Sequence, residues 1–213
     1  YGKHLVYEWH SGYLLHVHLG LFGKFSAHLT QVPAPRSTVR VRFAAESATI
    51  DLSGPTVCEL LDEQELVRLL DRLGPDPLRA DADPERFHAR CSRSRVAIGA
   101  LLLDQSAIAG VGNVYRAEAL FVCGIDPARE ARSLTEVERV HLWNTITTML
   151  TAGVKAGRIV TVDPVEVGMP RSRIPRRQRT YAYQRESCLR CGNVVNQGTL
   201  ATRTMYWCAT CQR

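Results

Sequence analysis

Leu103-Asp-Gln-Ser-Ala-Ile-Ala-Gly110-Val-Gly112-Asn113-Val-Tyr-Arg116-Ala-Glu-Ala-Leu-Phe121 is the stretch on which the reading of this chain turns. Gly110 and Gly112 bracket a turn, and Asn113 then opens a helix with an apolar stripe through Val114, Leu120 and Phe121. Asparagine is a good N-cap. Turn glycines at a helix N-terminus also let backbone N–H groups approach an anion. A plain helix–turn–helix would account for the same residues, so this stretch needs its neighbours.

Upstream, Glu63 to Leu73 places Leu66, Leu69, Leu70 and Leu73 at helical spacing and stops at Gly74-Pro75. Ala82–Ala89 and Val96–Leu103 read as further short helices. Downstream, Ser133-Leu-Thr-Glu136 reads as a capping box opening a long helix to about Ala156, where Gly157 can end it. Before all of these the periodicity is two. Residues 4–9 and 13–19 run apolar or alternate around His10-Ser11-Gly12, which predicts a β-hairpin; Val39–Phe43 alternates strictly, and Ala48–Leu52 continues as a strand closed by Ser53-Gly54-Pro55. The order is therefore β first, helical second.

A third zone ends the chain. Cys188-x-x-Cys191 and Cys208-x-x-Cys211 are separated by sixteen residues. Two such knuckles supply four thiolates from two tight turns, the ligand set of a tetrahedral zinc ion, and Gly192 suits the first turn. Four thiolates leave no open coordination position, so one structural zinc is expected. Between the knuckles, 197–207 read as two strands with a turn near 201–203. Arg203 is then the tip of the hairpin, a place from which arginine grips phosphate, although an exposed surface arginine would look the same.

With 213 residues, 45% of them hydrophobic and 23% charged, the chain can bury one full-sized core or two modest ones. No apolar run is long enough to span a bilayer and no signal peptide is recognisable, which predicts an intracellular, cytoplasmic protein with no membrane partner. The net charge of +6 is unevenly placed: Arg171-Ser-Arg-Ile-Pro-Arg-Arg-Gln-Arg179 packs five arginines into nine residues. A one-sided cationic region of this kind is an electrostatic footprint for phosphates; a solvated arginine loop is the plainer account. Seven cysteines, as two close pairs and three singles (Cys58, Cys91, Cys123), read as a metal site plus reduced thiols, not a disulfide framework.

Together these pieces point further than any does alone. Asp104-Gln-x-x-x-Ala-Gly-x-Gly-Asn-x-Tyr-x-x-Glu-x-Leu-Phe closely resembles the helix–two-turns–helix of the formamidopyrimidine-DNA glycosylase and endonuclease VIII family. The four-cysteine finger with an arginine five residues before its third cysteine resembles that family's C-terminal finger. Gly2-Lys3-His-Leu and His18-Leu-Gly-Leu-x-Gly23 resemble its β-domain, and Gly74-Pro-Asp-Pro-Leu78 its interdomain junction. The resemblance spans the whole chain in order, and is nearer the endonuclease VIII branch. It implies an α+β protein: residues 1–75 a β-rich, incomplete sandwich, 76–180 the helix–two-turns–helix domain with its Arg-rich connector, and 181–213 the zinc finger.

The resemblance also implies a chemistry. Enzymes of this family excise oxidised bases from duplex DNA and cut the strand at the abasic sugar. The secondary amine of an N-terminal proline attacks C1′ to form a Schiff base, a neighbouring glutamate handles protons, and the iminium acidifies C2′ for β-elimination. The base is first extruded from the stack. Residue by residue, Lys3 matches the β-domain lysine that acts at the lesion phosphate and as proton donor in β-elimination. Arg203 matches the finger arginine that contacts phosphate and promotes δ-elimination, and Asn113 the asparagine that binds backbone phosphate. His18 stands where the family's histidine approaches phosphate, and Leu21 where a gap-filling side chain is found; ordinary hairpin packing would explain both equally.

Two departures matter. The opening Pro-Glu is absent and residue 1 is Tyr, so the chain is expected to begin near position fifty of a full-length member, without the amine nucleophile. The arginine–phenylalanine wedge of the formamidopyrimidine branch is also missing; Leu52-Ser-Gly-Pro-Thr-Val-Cys58 stands in its place, which favours a pyrimidine-directed relative. The expectation is a base-excision-repair glycosylase and lyase acting on damaged double-stranded DNA as a monomer, removing oxidised pyrimidines and cleaving by β,δ-elimination. The alternative is a non-catalytic, zinc-dependent DNA-binding protein on the same scaffold. A zinc ribbon serving RNA would explain the finger and the charge, but not residues 104–121.

Overall fold

The computed structural model describes residues 1–10 and 12–213, and divides the chain into two compact units: Tyr1 with Lys3–Arg72, and Gly2 with Leu73–Arg213. The fold is α+β, as expected.

The first unit is two three-stranded antiparallel sheets. β1 (His4–Glu8), β2 (Leu14–His18) and β6 (Val57–Leu61) form one, in the order β1-β2-β6; β3 (Lys24–His28), β4 (Val39–Ala44) and β5 (Thr49–Ser53) form the other, in the order β3-β5-β4. The hairpin of β1 and β2 pairs His4 with His18 and Val6 with His16. Its expected turn includes Ser11, which lies outside the described residues, but the Gly12 N–H closes onto Trp9 O at 2.8 Å. Leu15, Val17 and Leu52 are buried between the sheets, rimmed by Leu19, Phe25, Val41, Phe43 and Cys58. Strands β3 and β6 were not expected from the sequence. Helix α1 (Glu63–Asp71) follows, capped by Asp62 and Glu65, each side chain bonded to the other's backbone N–H.

In the second unit Asp83 caps α2 (Pro84–Arg93), with proline at the first helical position where its missing N–H costs nothing. The helix expected over Val96–Leu103 is a single turn, α3 (Ile98–Leu101). Turns over 102–112 lead into α4 (Asn113–Val122), and α5 (Glu136–Ala156) crosses behind it, ending at Gly157 in the left-handed conformation. The capping box of α5 lies two residues later than the sequence suggested. Thr135 is the cap and Glu138 its partner, whereas Ser133 sits in a 3-10 turn with its hydroxyl donating to Glu130 O. The α4 cap is likewise Gly112, without a side-chain bond, and Asn113 is the first helical residue. That frees the Asn113 side chain for another use. Residues 158–180 hold two 3-10 turns, and β7 (Asn196–Leu200) pairs with β8 (Arg203–Trp207) in the finger.

The core of this unit runs from Phe87, Ile98 and Leu102 through Ile108, Ala117 and Leu120 to Leu142, Trp143 and Ile146; it also takes in Met205 of the finger hairpin. A second cluster joins Phe121 at the end of α4 to Val160, Val162, Tyr181, Cys188 and Cys208. The finger is thus packed against the helices by apolar surface as well as held by its own cysteines. Among the described residues no helix is long and apolar enough to cross a membrane.

Candidate metal centre and nucleic-acid interface

The sulfur atoms of Cys188, Cys191, Cys208 and Cys211 all lie within 4.8 Å of one another, with Cys191 and Cys208 3.5 Å apart and Cys188 and Cys211 3.9 Å apart. For sulfurs each about 2.3 Å from one tetrahedral ion, edges a little under 4 Å are required, so the donor set fits a metal of that kind. The first knuckle is a tight turn. Gly192 at φ 75° turns the chain so that its N–H reaches Cys188 O at 2.9 Å. The peptide N–H of Asn193 holds the Cys191 thiol down to about 7, against burial which pushes it up. The second knuckle is tied to the helices: Gln212 accepts from the Cys208 N–H at 2.9 Å and donates to Ile125 O at 2.9 Å.

The hairpin between the knuckles turns at Ala201 and Thr202, both at positive φ (52° and 60°). Arg203 is the first residue of β8, paired opposite Leu200 and exposed. It stands beside the turn, not in it as the spacing suggested. The Asn113 side chain donates to Thr204 O at 2.9 Å and accepts from Arg116. It holds the hairpin against the N-terminus of α4. Arg116, invisible as a special residue in the sequence, is fully buried there; burial, then repulsion from Arg203, lowers its pKa to about 10. The exposed arginine and the Gly110-Val-Gly112 turn therefore belong to the same unit through a short chain of hydrogen bonds.

Of the arginine-rich connector, Arg171 donates to Val160 O and Arg179 to Ile174 O at 3.1 Å, so two of the five guanidinium groups brace the backbone; Arg173, Arg176 and Arg177 are exposed. Arg190 has the opposite fate from a free cation. It covers the rings of Tyr181 and Phe121 at 4.8 and 5.0 Å and pairs with Glu166 at 2.9 Å.

In the first unit Lys3 is exposed just before β1, and His18 ends β2 with its ring 4.9 Å from that of His4. Burial, then Lys3 and His16, lowers the pKa of His18. His4 is pushed down to about 4 by burial, then by His18, and its Nδ1 lies 2.8 Å from Nε2 of His16, whose Nδ1 is 3.0 Å from Glu59. That three-residue chain had no mark in the sequence beyond histidines facing each other at hairpin spacing. Leu21 sits in the loop after β2, 68% exposed, and Phe22 beside it is 86% exposed, an aromatic that the sequence reading passed over. The loop depends on Gly20: at φ 66° with its Cβ position 1.8 Å from the Thr56 hydroxyl, no other residue fits without displacement.

Residues 73–164 match the family model of the formamidopyrimidine-DNA glycosylase H2TH domain. Over its whole length the chain is 45% identical to Endonuclease 8 1 of Mycobacterium tuberculosis, of which it covers 81%. The chain belongs to the formamidopyrimidine-DNA glycosylase and endonuclease VIII family. The formamidopyrimidine-DNA glycosylase of Thiobacillus denitrificans is more distant, at 31% over the whole chain and 79% of that relative. Among solved structures, Lactococcus lactis Fpg in complex with DNA containing FAPY-dG superposes with a TM-score of 0.82 at 25% identity, over the whole chain and 80% of that structure. The same enzyme with an abasic-site DNA gives 0.81 at 23%. Family membership makes this a DNA glycosylase of base-excision repair, and the four clustered cysteines are its finger.

Proposed function

We propose that this protein excises oxidised pyrimidines from duplex DNA and cleaves the strand by β,δ-elimination, acting as a monomer with one structural zinc held by Cys188, Cys191, Cys208 and Cys211. In this reading Arg203 contacts phosphate and promotes δ-elimination, and Lys3 acts at the lesion phosphate and donates a proton. His18 lies near phosphate, and Leu21 fills the gap left by the extruded base. Asn113 binds backbone phosphate from the first turn of α4, where it also supports the finger hairpin. The observation that carries the reading is the finger hairpin seated on the first turn of α4, which holds an exposed arginine on a rigid support next to a glycine turn with backbone donors. The 45% identity to an endonuclease 8 favours pyrimidine over purine damage. Zinc would supply rigidity alone, since four thiolates close its coordination. Every proline nitrogen among residues 1–213 is an amide, so the proposal gives the Schiff-base amine to none of them.

The test uses the protein expressed from its own start codon. Borohydride should trap it covalently on an abasic duplex, and a duplex carrying an oxidised pyrimidine should be cut in preference to one carrying an oxidised purine, leaving δ-elimination ends. Arg203→Ala should weaken duplex binding, lower the salt slope by about one and shift products toward β-elimination. Tight binding to abasic duplex with neither trapping nor strand cleavage would instead establish the non-catalytic DNA-binding protein.

A further inference from the structure

Helix α4 carries two buried charges that the proposed DNA contacts leave unexplained. Arg116 is fully buried, and its Nη1 donates to Gly99 O at 3.2 Å and Leu200 O at 3.1 Å, its Nη2 to Thr204 O at 3.2 Å and to the Asn113 side chain. Glu118, two residues on, is fully buried as well. Its Oε2 accepts from the Thr161 hydroxyl at 2.6 Å and the Tyr181 N–H at 2.6 Å; its Oε1 accepts from the N–H of Ala182 at 2.9 Å and of Tyr183 at 2.8 Å. Neither residue takes part in a salt bridge among the described residues. Burying a charge without an opposite charge is costly unless its hydrogen-bonding capacity is taken up, and an apolar side chain would close the same core at less cost.

The two charges point to opposite sides of the helix, since residues two apart do not face one another. Their partners bracket the finger. Arg116 grips carbonyls on either side of the hairpin turn, at Leu200 and Thr204. Glu118 grips three consecutive N–H groups of the segment from which the finger departs. From there the connection is short: Tyr181 O accepts from Leu189 N–H at 3.1 Å, inside the first knuckle, and the Tyr181 ring stacks on Phe121 of α4 at 4.9 Å. Three successive N–H groups on one carboxylate fix a single register for that segment, because a shift by one residue would leave a donor buried without a partner.

We infer that Glu118 is a positioning residue for DNA binding: it sets Tyr181–Tyr183, and through them the finger, so that the hairpin gripped from the other side by Arg116 presents Arg203 in one place. This rests on the proposed phosphate contact of Arg203. Glu118→Gln replaces one acceptor oxygen by an NH2 group where N–H donors already converge; Thr161→Val removes one of the four donors with little change of shape.

Amide hydrogen exchange at residues 181–183 and 189 should accelerate about tenfold or more in Glu118→Gln, with metal content unchanged at one ion per chain. Affinity for an abasic duplex should fall about tenfold, but by less than about twofold when Arg203 is already Ala, since residues acting as one unit are non-additive. Unchanged exchange, or an equal loss of affinity in both backgrounds, overturns the inference. If Glu118→Gln does not fold, Thr161→Val carries the same readouts at about threefold. If the unaltered protein does not bind the abasic duplex, the functional reading fails separately. Exchange alone then decides whether Glu118 sets the segment.

Discussion

The strand-rich unit and the helical unit achieve their order by different means. Among the described residues the first buries only Leu15, Val17 and Leu52 in its apolar cluster, and leaves Trp9 41% and Leu60 61% exposed. The second buries twenty in its main cluster alone, from Phe87 to Met205. What the first lacks in apolar packing it supplies with polar ladders. His4, His16 and Glu59 are linked across three strands, and Asp51 accepts from Arg42 at 2.7 and 2.8 Å with His28 at 3.1 Å. Such ladders specify register well but add little net free energy each, about 1 kcal/mol. Packing makes the helical unit the stiffer support, and it carries the finger.

That contrast can be broken most forcefully at the metal. If the four cysteines hold the proposed zinc, chelation should remove one ion per chain, at the cost of a binding free energy on the order of 10 kcal/mol. Exchange should rise across both knuckles, while Met205, packed in the helical core, keeps part of the hairpin docked; metal analysis with amide exchange reads both. Next in size, Phe87→Ala removes a ring with no exposed surface that packs 5.6 Å from Trp143, and should cost about 3–5 kcal/mol by calorimetry. Leu52→Ala should cost about 3 kcal/mol but melt the strand unit in a separate, earlier transition, visible in the heat-capacity trace. A single transition in which both substitutions act alike would remove the distinction between the units.

Acid sharpens the same comparison at a smaller scale. His4 resists protonation in the folded state down to about 4, whereas the unfolded chain takes up a proton near 6.5, so the strand unit loses stability as pH falls through that window. Glu138, held by Arg129 and by the Thr135 cap, has its carboxyl lowered to about 2. Its contribution is complete above about 4.5 and is lost only as pH falls toward about 2. At pH 5 the strand unit should therefore be weakened and the helical unit not, as tyrosine and tryptophan fluorescence on acid titration would show. Glu138→Gln should cost about 1 kcal/mol at neutral pH, and little at pH 2.

The four cysteines and the Gly110–Phe121 stretch were legible because their chemistry is local: thiolate spacing and turn glycines act wherever the chain takes them. Lys24–His28 and Val57–Leu61 were not legible as strands. Lys-Phe-Ser-Ala-His has no β-branched residue, and its strand state comes from pairing with β5, a contact no window of sequence contains. The caps at Gly112 and Thr135 were displaced by one and two residues, because several good capping residues adjoin and packing chooses among them. Nothing in the sequence marks Arg116 and Glu118 as interior. Only the arrival of residues 181–183 on one side and 200–204 on the other makes them interior.

The hairpin turn holds one more consequence. Ala201 and Thr202 both occupy a backbone region that L-residues other than glycine, asparagine and aspartate visit at a cost, and the fold that surrounds them meets that cost. A tighter sequence, Asn-Gly, would suit the same two positions with less strain. The tip of the finger is thus held below its own optimum of rigidity, and an engineer could raise its melting point without touching a cysteine, an arginine or the helix beneath.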